Sequence, residues 1–185
     1  MASFSLQEPV ERFLDRLASA DSAPAGGSAA AVAVAMGAGL VAKAARLAHE
    51  WPPASDVVER AEALRSRLAT LALADADAYA KVMEALRLPP DSPSRAEDVA
   101  GALSGAADVP LAVAEAAAEL ALLAALVAQE GNVRLRGDAV VAAELAEAGA
   151  RGAAELVAVN LGGRDDPRVR RAKELVASLV RAAKT

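Results

Sequence analysis

Apolar residues recur at three- and four-residue intervals over most of this chain, and the long stretches are closed by Trp51-Pro52-Pro53, Pro89-Pro90, Gly131-Asn132 and Gly162-Gly163. Proline has no N–H for the next helical turn, and glycine ends helices cheaply. No segment shows the strict polar/apolar alternation of a half-buried strand. The chain is therefore confined to an all-α fold, expected as a multi-helical bundle with long antiparallel helices. Hydrophobic residues make up 55% of the sequence but aromatic residues only 2%, so the core must be assembled from alanine, valine and leucine. Small side chains let helices approach closely, and the surplus apolar faces are expected to be covered in a dimer. Residues 1–185 read as a single domain, long enough to bury a core.

The punctuation sets the expected elements. A first helix is capped by Ser5 and runs through Leu6, Val10, Phe13, Leu14 and Leu17, with Pro9 in its first turn. The loop Ser19 to Ser28 precedes a second helix, Ser28 to His49. That helix is apolar almost all round, carries Gly37 and Gly39, and reads as buried and central. A third helix starts at Ser55 or Asp56 and ends near Leu88, and a short one covers Ser94 to Leu103. Asp108-Val109-Pro110 supplies a cap and an N1 proline for the next, which runs to Glu130. A fifth long helix spans Asp138 to Leu161, and Asp165-Asp166-Pro167 opens a terminal amphipathic helix.

Several function classes are excluded at this level. There is no cysteine, hence no disulfide framework and no thiolate chemistry, and a lone His49 makes no metal cluster. His49 reads as a solvated or capping group near a helix end. The net charge is −5, with acids and bases interspersed, so nucleic acid finds no basic footprint. The N-terminal residues lack a signal-peptide pattern. The most apolar runs, Ala29 to Ala42 and Leu111 to Val127, are short or carry acids, so neither reads as a membrane span. A cytoplasmic protein without a membrane partner is expected.

One acid stands out. At about 100° per residue, Leu64, Leu68, Leu71, Asp75, Tyr79, Val82 and Leu86 share one stripe of the third helix, while Asp77 points to the other side. Asp77 has Lys81 four residues on, the spacing of an exposed ion pair. Asp75 has apolar or small neighbours apart from Tyr79, and burial raises a carboxylate's pKa. Such an acid is a candidate proton shuttle, or else a structural acid hydrogen-bonded inside the fold.

Two loops offer further polar groups. Pro24-Ala25-Gly26-Gly27-Ser28 exposes backbone N–H groups at a helix start, as anion sites do, although it also suits a plain N-cap and lacks a P-loop ending. Gly131-Asn132-Val133-Arg134-Leu135-Arg136-Gly137-Asp138 gathers an amide, two guanidiniums and a carboxylate in one interhelix turn. Arginine there suits a carboxylated ligand. Alternatively Asp138 caps the next helix and the arginines are solvated.

In order along the chain, five segments resemble one family: Pro24-Ala25-Gly26-Gly27-Ser28-Ala-Ala-Ala leading into Met36-Gly-Ala-Gly; Leu71-Ala-Leu-Ala-Asp75-Ala-Asp77-Ala-Tyr79 followed by Met83-Glu-Ala-Leu-Arg-Leu-Pro; Asp108-Val-Pro-Leu; Gly131-Asn132 with Arg136 and Asp138; and Val159-Asn160-Leu161. They resemble the cyclodeaminase/cyclohydrolase family, which comprises the C-terminal half of formiminotransferase-cyclodeaminase and stand-alone methenyltetrahydrofolate cyclohydrolases. The resemblance spans nearly the whole chain. It implies a helical homodimer that binds a folate in a cleft at or near the subunit interface. It also implies hydrolysis of 5,10-methenyltetrahydrofolate to 10-formyltetrahydrofolate, or ammonia loss from 5-formiminotetrahydrofolate. No cofactor beyond the tetrahydrofolate substrate is implied.

By the family's pattern the proton acceptor and donor falls on Asp75, the residue singled out by helical phase. Gly26, Gly27 and Ser28 are expected to contact substrate through backbone or hydroxyl groups. Asn132, Arg136, Asp138 and Asn160 are expected to hold its pterin or glutamate portion. Three positions depart from the pattern: Ala25-Gly26-Gly27 stands where three glycines are usual, Arg136-Gly137-Asp138 where Arg-Ser-Asp is usual, and Leu156 where an asparagine is usual. These departures leave open a non-catalytic folate-binding or assembly module on the same fold. The 185 residues contain no formiminotransferase half, which favours a stand-alone cyclohydrolase over a bifunctional enzyme.

Overall fold

The computed structural model describes residues 5–182, with side chains described as far as Leu179; the outermost residues of the expected 1–185 domain lie outside the described range. Seven α-helices follow one another among these residues: α1 (Val10–Ala18), α2 (Gly26–Arg46), α3 (Ala54–Leu86), α4 (Arg95–Ala106), α5 (Asp108–Glu130), α6 (Arg136–Asn160) and α7 (Pro167–Ala182). A 3-10 turn, Val133–Leu135, joins α5 to α6. No strand occurs among the described residues.

Helix α2 is central, as its composition required, and packs against α3, α5 and α6. Ala31, Val34, Ala38, Val41, Ala42 and Ala45 are fully buried in it. Removing a valine-sized side chain from water contributes about 1.5 kcal/mol or more, so this helix anchors the core. α6 lies along it with Asp138 beside Lys43, Ala142 beside Gly37, Gly149 beside Val34 and Leu156 beside Gly26. A Cβ on Gly149 would come within 2.2 Å of Val34, so the close approach requires the missing side chain. A Cβ on Gly37 would likewise stand 3.1 Å from the Ala142 carbonyl, whereas one on Gly39 would meet only the flexible end of Arg65.

The helix boundaries depart from expectation in instructive ways. Pro9 flanks α1 instead of lying in its first turn, and the Ser5 hydroxyl accepts from the Gln7 N–H in a turn outside the helix. Of the expected α1 stripe only Phe13 is buried, while Val10 and Leu14 are 73% and 56% exposed. Asp108 lies inside α5, and its carboxylate accepts from Arg168 instead of capping the helix. Arg168 also donates to the Ser104 carbonyl and to Asp166, whose carboxyl it holds down at about 2, so the start of α7 is fastened to α4. Gly162 and Gly163 both take positive φ, 61° and 71°, which explains why this stop is a glycine pair.

By length and composition, Gly26–Arg46 and Arg95–Glu130 are apolar enough to cross a membrane; 50% and 44% of their most apolar windows are buried inside the fold.

Candidate active site

Along α3 the buried face runs Val57, Ala61, Leu64, Leu68, Ala72, then Val82 and Ala85. Between Ala72 and Val82 this face carries Asp75, partly buried, as helical phase required. The stripe is less regular than its period suggested: Tyr79 and Leu86 are 41% and 42% exposed. Asp77 is exposed and does not pair with Lys81; both line a groove toward Gly101, Gly105 and Val109.

The partner of Asp75 is the start of α2. The Ser28 N–H donates to Asp75 Oδ2 at 2.8 Å, and the Ser28 hydroxyl lies 3.0 Å from the same oxygen and 2.9 Å from the Ala72 carbonyl. Helix α2 has no side-chain cap of its own, so Asp75 satisfies one of its free N–H groups from another helix. The positive end of the helix dipole then faces a carboxylate. Gly27 makes the approach possible, because a Cβ there would stand 2.0 Å from Oδ1 and 2.4 Å from Cγ.

Two opposing influences act on the acid. Burial pushes the Asp75 carboxyl above the usual aspartate range, and the side-chain and backbone hydrogen bonds from Ser28 pull it part of the way back. Oδ2 is held by Ser28, whereas Oδ1 accepts no hydrogen bond from the described residues. The site is thus an acid with Oδ2 held by two donors of Ser28 and Oδ1 without a donor among the described residues.

The remaining residues expected at the site divide into two groups. Gly26 is exposed and faces Leu156, so the leucine that replaces the expected asparagine does border the Asp75 end of α2. Asn160, one turn further along α6, donates its amide to the Ala106 carbonyl at 3.0 Å. The Ser28 hydroxyl, expected on a ligand, is fully buried and turned onto α3. Asn132, Arg136 and Asp138 lie toward the opposite end of α2, about 20–30 Å away at 1.5 Å per residue. There Asn132 donates to the Leu47 carbonyl at 2.9 Å and accepts the Arg134 N–H, so it joins the end of α2 to the 3-10 turn. Asp138 accepts from Lys43 at 2.7 Å, and Arg136 is exposed with no ion-pair partner among the described residues.

Sequence reasoning missed Lys43 as the partner of Asp138, and it missed a cavity of about 470 Å³ between Leu47, His49, Trp51, Glu130 and Asn132. The only tryptophan and the only histidine stand two residues apart, a signal available for the cavity, whereas the approach of Asn132 to them was not legible in the sequence.

Comparison with known proteins identifies the family. The family model described as formiminotransferase-cyclodeaminase matches residues 9–178, and the chain belongs to that family. Among its relatives, the methenyltetrahydrofolate cyclohydrolase of Methylorubrum extorquens is 39% identical over 170 residues, covering 86% of this chain and 82% of that protein. The formimidoyltransferase-cyclodeaminase of Sus scrofa is 32% identical over 97% of this chain, which spans 36% of the pig protein. The crystal structure of formiminotetrahydrofolate cyclodeaminase from Thermotoga maritima superposes with a TM-score of 0.82 at 26% identity, covering 96% of this chain and 91% of that one.

Proposed function

We propose that this protein is a folate one-carbon enzyme that hydrolyses 5,10-methenyltetrahydrofolate to 10-formyltetrahydrofolate, with Asp75 as general base and then general acid. The observation that carries the reading is a partly buried carboxylate, with Oδ2 fixed and Oδ1 free, in a chain 39% identical to a methenyltetrahydrofolate cyclohydrolase over most of both proteins. Water adds to the amidinium carbon as Asp75 takes one of its protons, giving a neutral carbinolamine. Asp75 returns that proton to N5, the C–N5 bond breaks, and the remaining hydroxyl proton leaves as the formyl group forms on N10. A carboxyl with a raised pKa suits both transfers, since it is basic enough to accept and acidic enough to donate. The steps balance without a redox partner or metal.

Deamination of 5-formiminotetrahydrofolate is the second reading, favoured by the likeness to the Thermotoga cyclodeaminase. There N10 attacks the formimino carbon, and the nitrogen that leaves as ammonia needs a proton that Asp75 can deliver.

We place the working enzyme in the cytoplasm as a homodimer of one-domain chains. The residue order of the α2–α6 contacts supports the long antiparallel arrangement, and the exposed apolar side chains Met36 on α2 and Val140 and Val141 on α6 support a second copy. Asn132, Arg136 and Asp138 lie too far from Asp75 to share one ligand within a chain. A dimer that sets the far end of one α2 beside the near end of the other unites them, with Arg136 placed to hold a substrate carboxylate.

The deciding experiment follows methenyltetrahydrofolate absorbance with wild type and Asp75→Asn, beside a parallel assay of formiminotetrahydrofolate. Asp75→Asn is expected to lose about 10²- to 10⁴-fold in turnover, the usual worth of a general acid–base group. Equal rates remove Asp75 from the chemistry. Folate binding with no turnover by the wild type instead supports a binding or assembly module, which the Gly137 and Leu156 departures leave open.

A further inference from the structure

Ser28 has one hydroxyl proton and two acceptors within reach, the Ala72 carbonyl at 2.9 Å and Asp75 Oδ2 at 3.0 Å. The residue is wholly shielded from solvent, so no water can substitute for either partner. The carbonyl only accepts, and it sits within α3, where the helical ladder already occupies one of its lone pairs. Asp75 Oδ2 changes strength with the protonation of the acid at Oδ1: it is a strong acceptor in the carboxylate and a weaker, carbonyl-type acceptor in the neutral acid.

We propose that Ser28 is a positioning residue for Asp75, a hydroxyl rotor that points its proton at Oδ2 when Asp75 is ionised and at the Ala72 carbonyl when Asp75 is protonated. In the first state Ser28 Oγ–H donates to the carboxylate. In the second the proton sits on Oδ1, Oδ2 becomes a weaker carbonyl-type acceptor that keeps only the Ser28 N–H, and the hydroxyl proton turns to Ala72. No proton passes through Ser28, and only one O–H bond rotates. The Ser28 N–H keeps Oδ2 in place throughout. Both protonation states are thus hydrogen-bonded in the same geometry, as an acid needs when it first accepts and then donates. This inference rests on the acid–base role given to Asp75 above.

The surroundings leave the rotor as the principal local control. From α2 the acid meets Gly27 and Ser28. On α3 itself Asp77 faces the groove toward α4, and the exposed Tyr79 is one turn on. On α6 Leu156 borders the start of α2, while Arg151 and Glu155 line the groove toward α7. No charged side chain among the described residues has a hydrogen bond or ion pair to Asp75, and burial is what displaces its titration upward, against the two bonds from Ser28.

The test is a carbon-13 titration of aspartate carboxyl groups in full-length wild type, Ser28→Ala and Asp75→Asn, the last identifying the Asp75 signal by its loss. Ser28→Ala keeps the N–H and removes the rotor, so the Asp75 midpoint should rise by about one pH unit, the scale on which a lost hydrogen bond to the charged form acts. The acidic limb of the kcat/KM profile should move with it, and kcat should fall about tenfold. Should Ser28→Ala not fold, Ser28→Cys fills the space with a weaker donor and should raise the midpoint by less. A midpoint in the folded variant that coincides with wild type overturns the proposal, even if its melting temperature drops, because that is the mark of a packing role alone. A midpoint that moves in a protein without folate turnover upholds the rotor while removing the proposed reaction; turnover with an unmoved midpoint does the reverse.

Discussion

The two ends of α2 are built on opposite principles. At its start, Gly27 and Ser28 close on Asp75 in a partly buried site in which an extra methyl on Gly27 would land on the carboxylate. At its finish, the exposed Lys43–Asp138 ion pair and the Asn132 caps lie near the exposed Arg136, and Asn132 borders an open cavity. The first end fixes one acid tightly enough to control its proton. The second holds its polar groups loosely, in solvent, where single contacts contribute little to folding. On the proposed function, control of a proton and capture of a charged ligand call for different degrees of burial, and the two ends of one helix differ in that way.

The strongest way to break this contrast is Gly27→Ala. The added Cβ must displace the Asp75 carboxyl, so turnover should fall at least about 100-fold and stability by about 1–3 kcal/mol, the usual cost of overpacking. Unchanged turnover would show that the close approach is dispensable. Next in size is the pH response of stability. Asp75 titrates above its unfolded value in the folded protein, so its contribution to folding is complete at pH below the unfolded pKa and is lost as pH rises through the folded one. Chemical denaturation across that window should show wild type declining relative to Asp75→Asn; parallel curves would mean that burial does not tax the charged form.

At the far end the effects are smaller. Asn132→Ala removes the bond to Leu47 and the cap on Arg134, and should cost about 1 kcal/mol by denaturation. Lys43→Met, which breaks the exposed pair with Asp138, should cost under about 1 kcal/mol and become neutral at high salt. A cost at Lys43 that equals that of Gly27→Ala would abolish the distinction between the two ends.

Much of the helical framework is legible in the residues alone. Helical periods, proline stops and the glycine pair at 162–163 locate the long helices to within a few residues, because these signals act over one or two turns. Where expectation fails, a tertiary contact prevails over a local rule: Asp108 is drawn from capping by Arg168, and the α1 stripe remains largely exposed with only Phe13 buried. The inward turn of Asp75 is equally local, since a residue's phase on a helix follows from its neighbours. The residue types at the candidate site are also readable in sequence order.

What sequence order conceals is grouping. Gly27 and Ser28, expected to contact substrate, form the socket of an acid 47 residues further on, and Asn132, Arg136 and Asp138, expected to hold the same substrate, lie a helix length away within the chain. The sequence by itself determined which segments coil, where they stop and which side of α3 carries its acid, since bond geometry and side-chain period operate within a few residues. Only the tertiary structure decided which helix start the acid meets and which residues share its surroundings. That depends on how α2, α3 and α6 pack, a matter of shape between elements distant in the chain that no local period encodes.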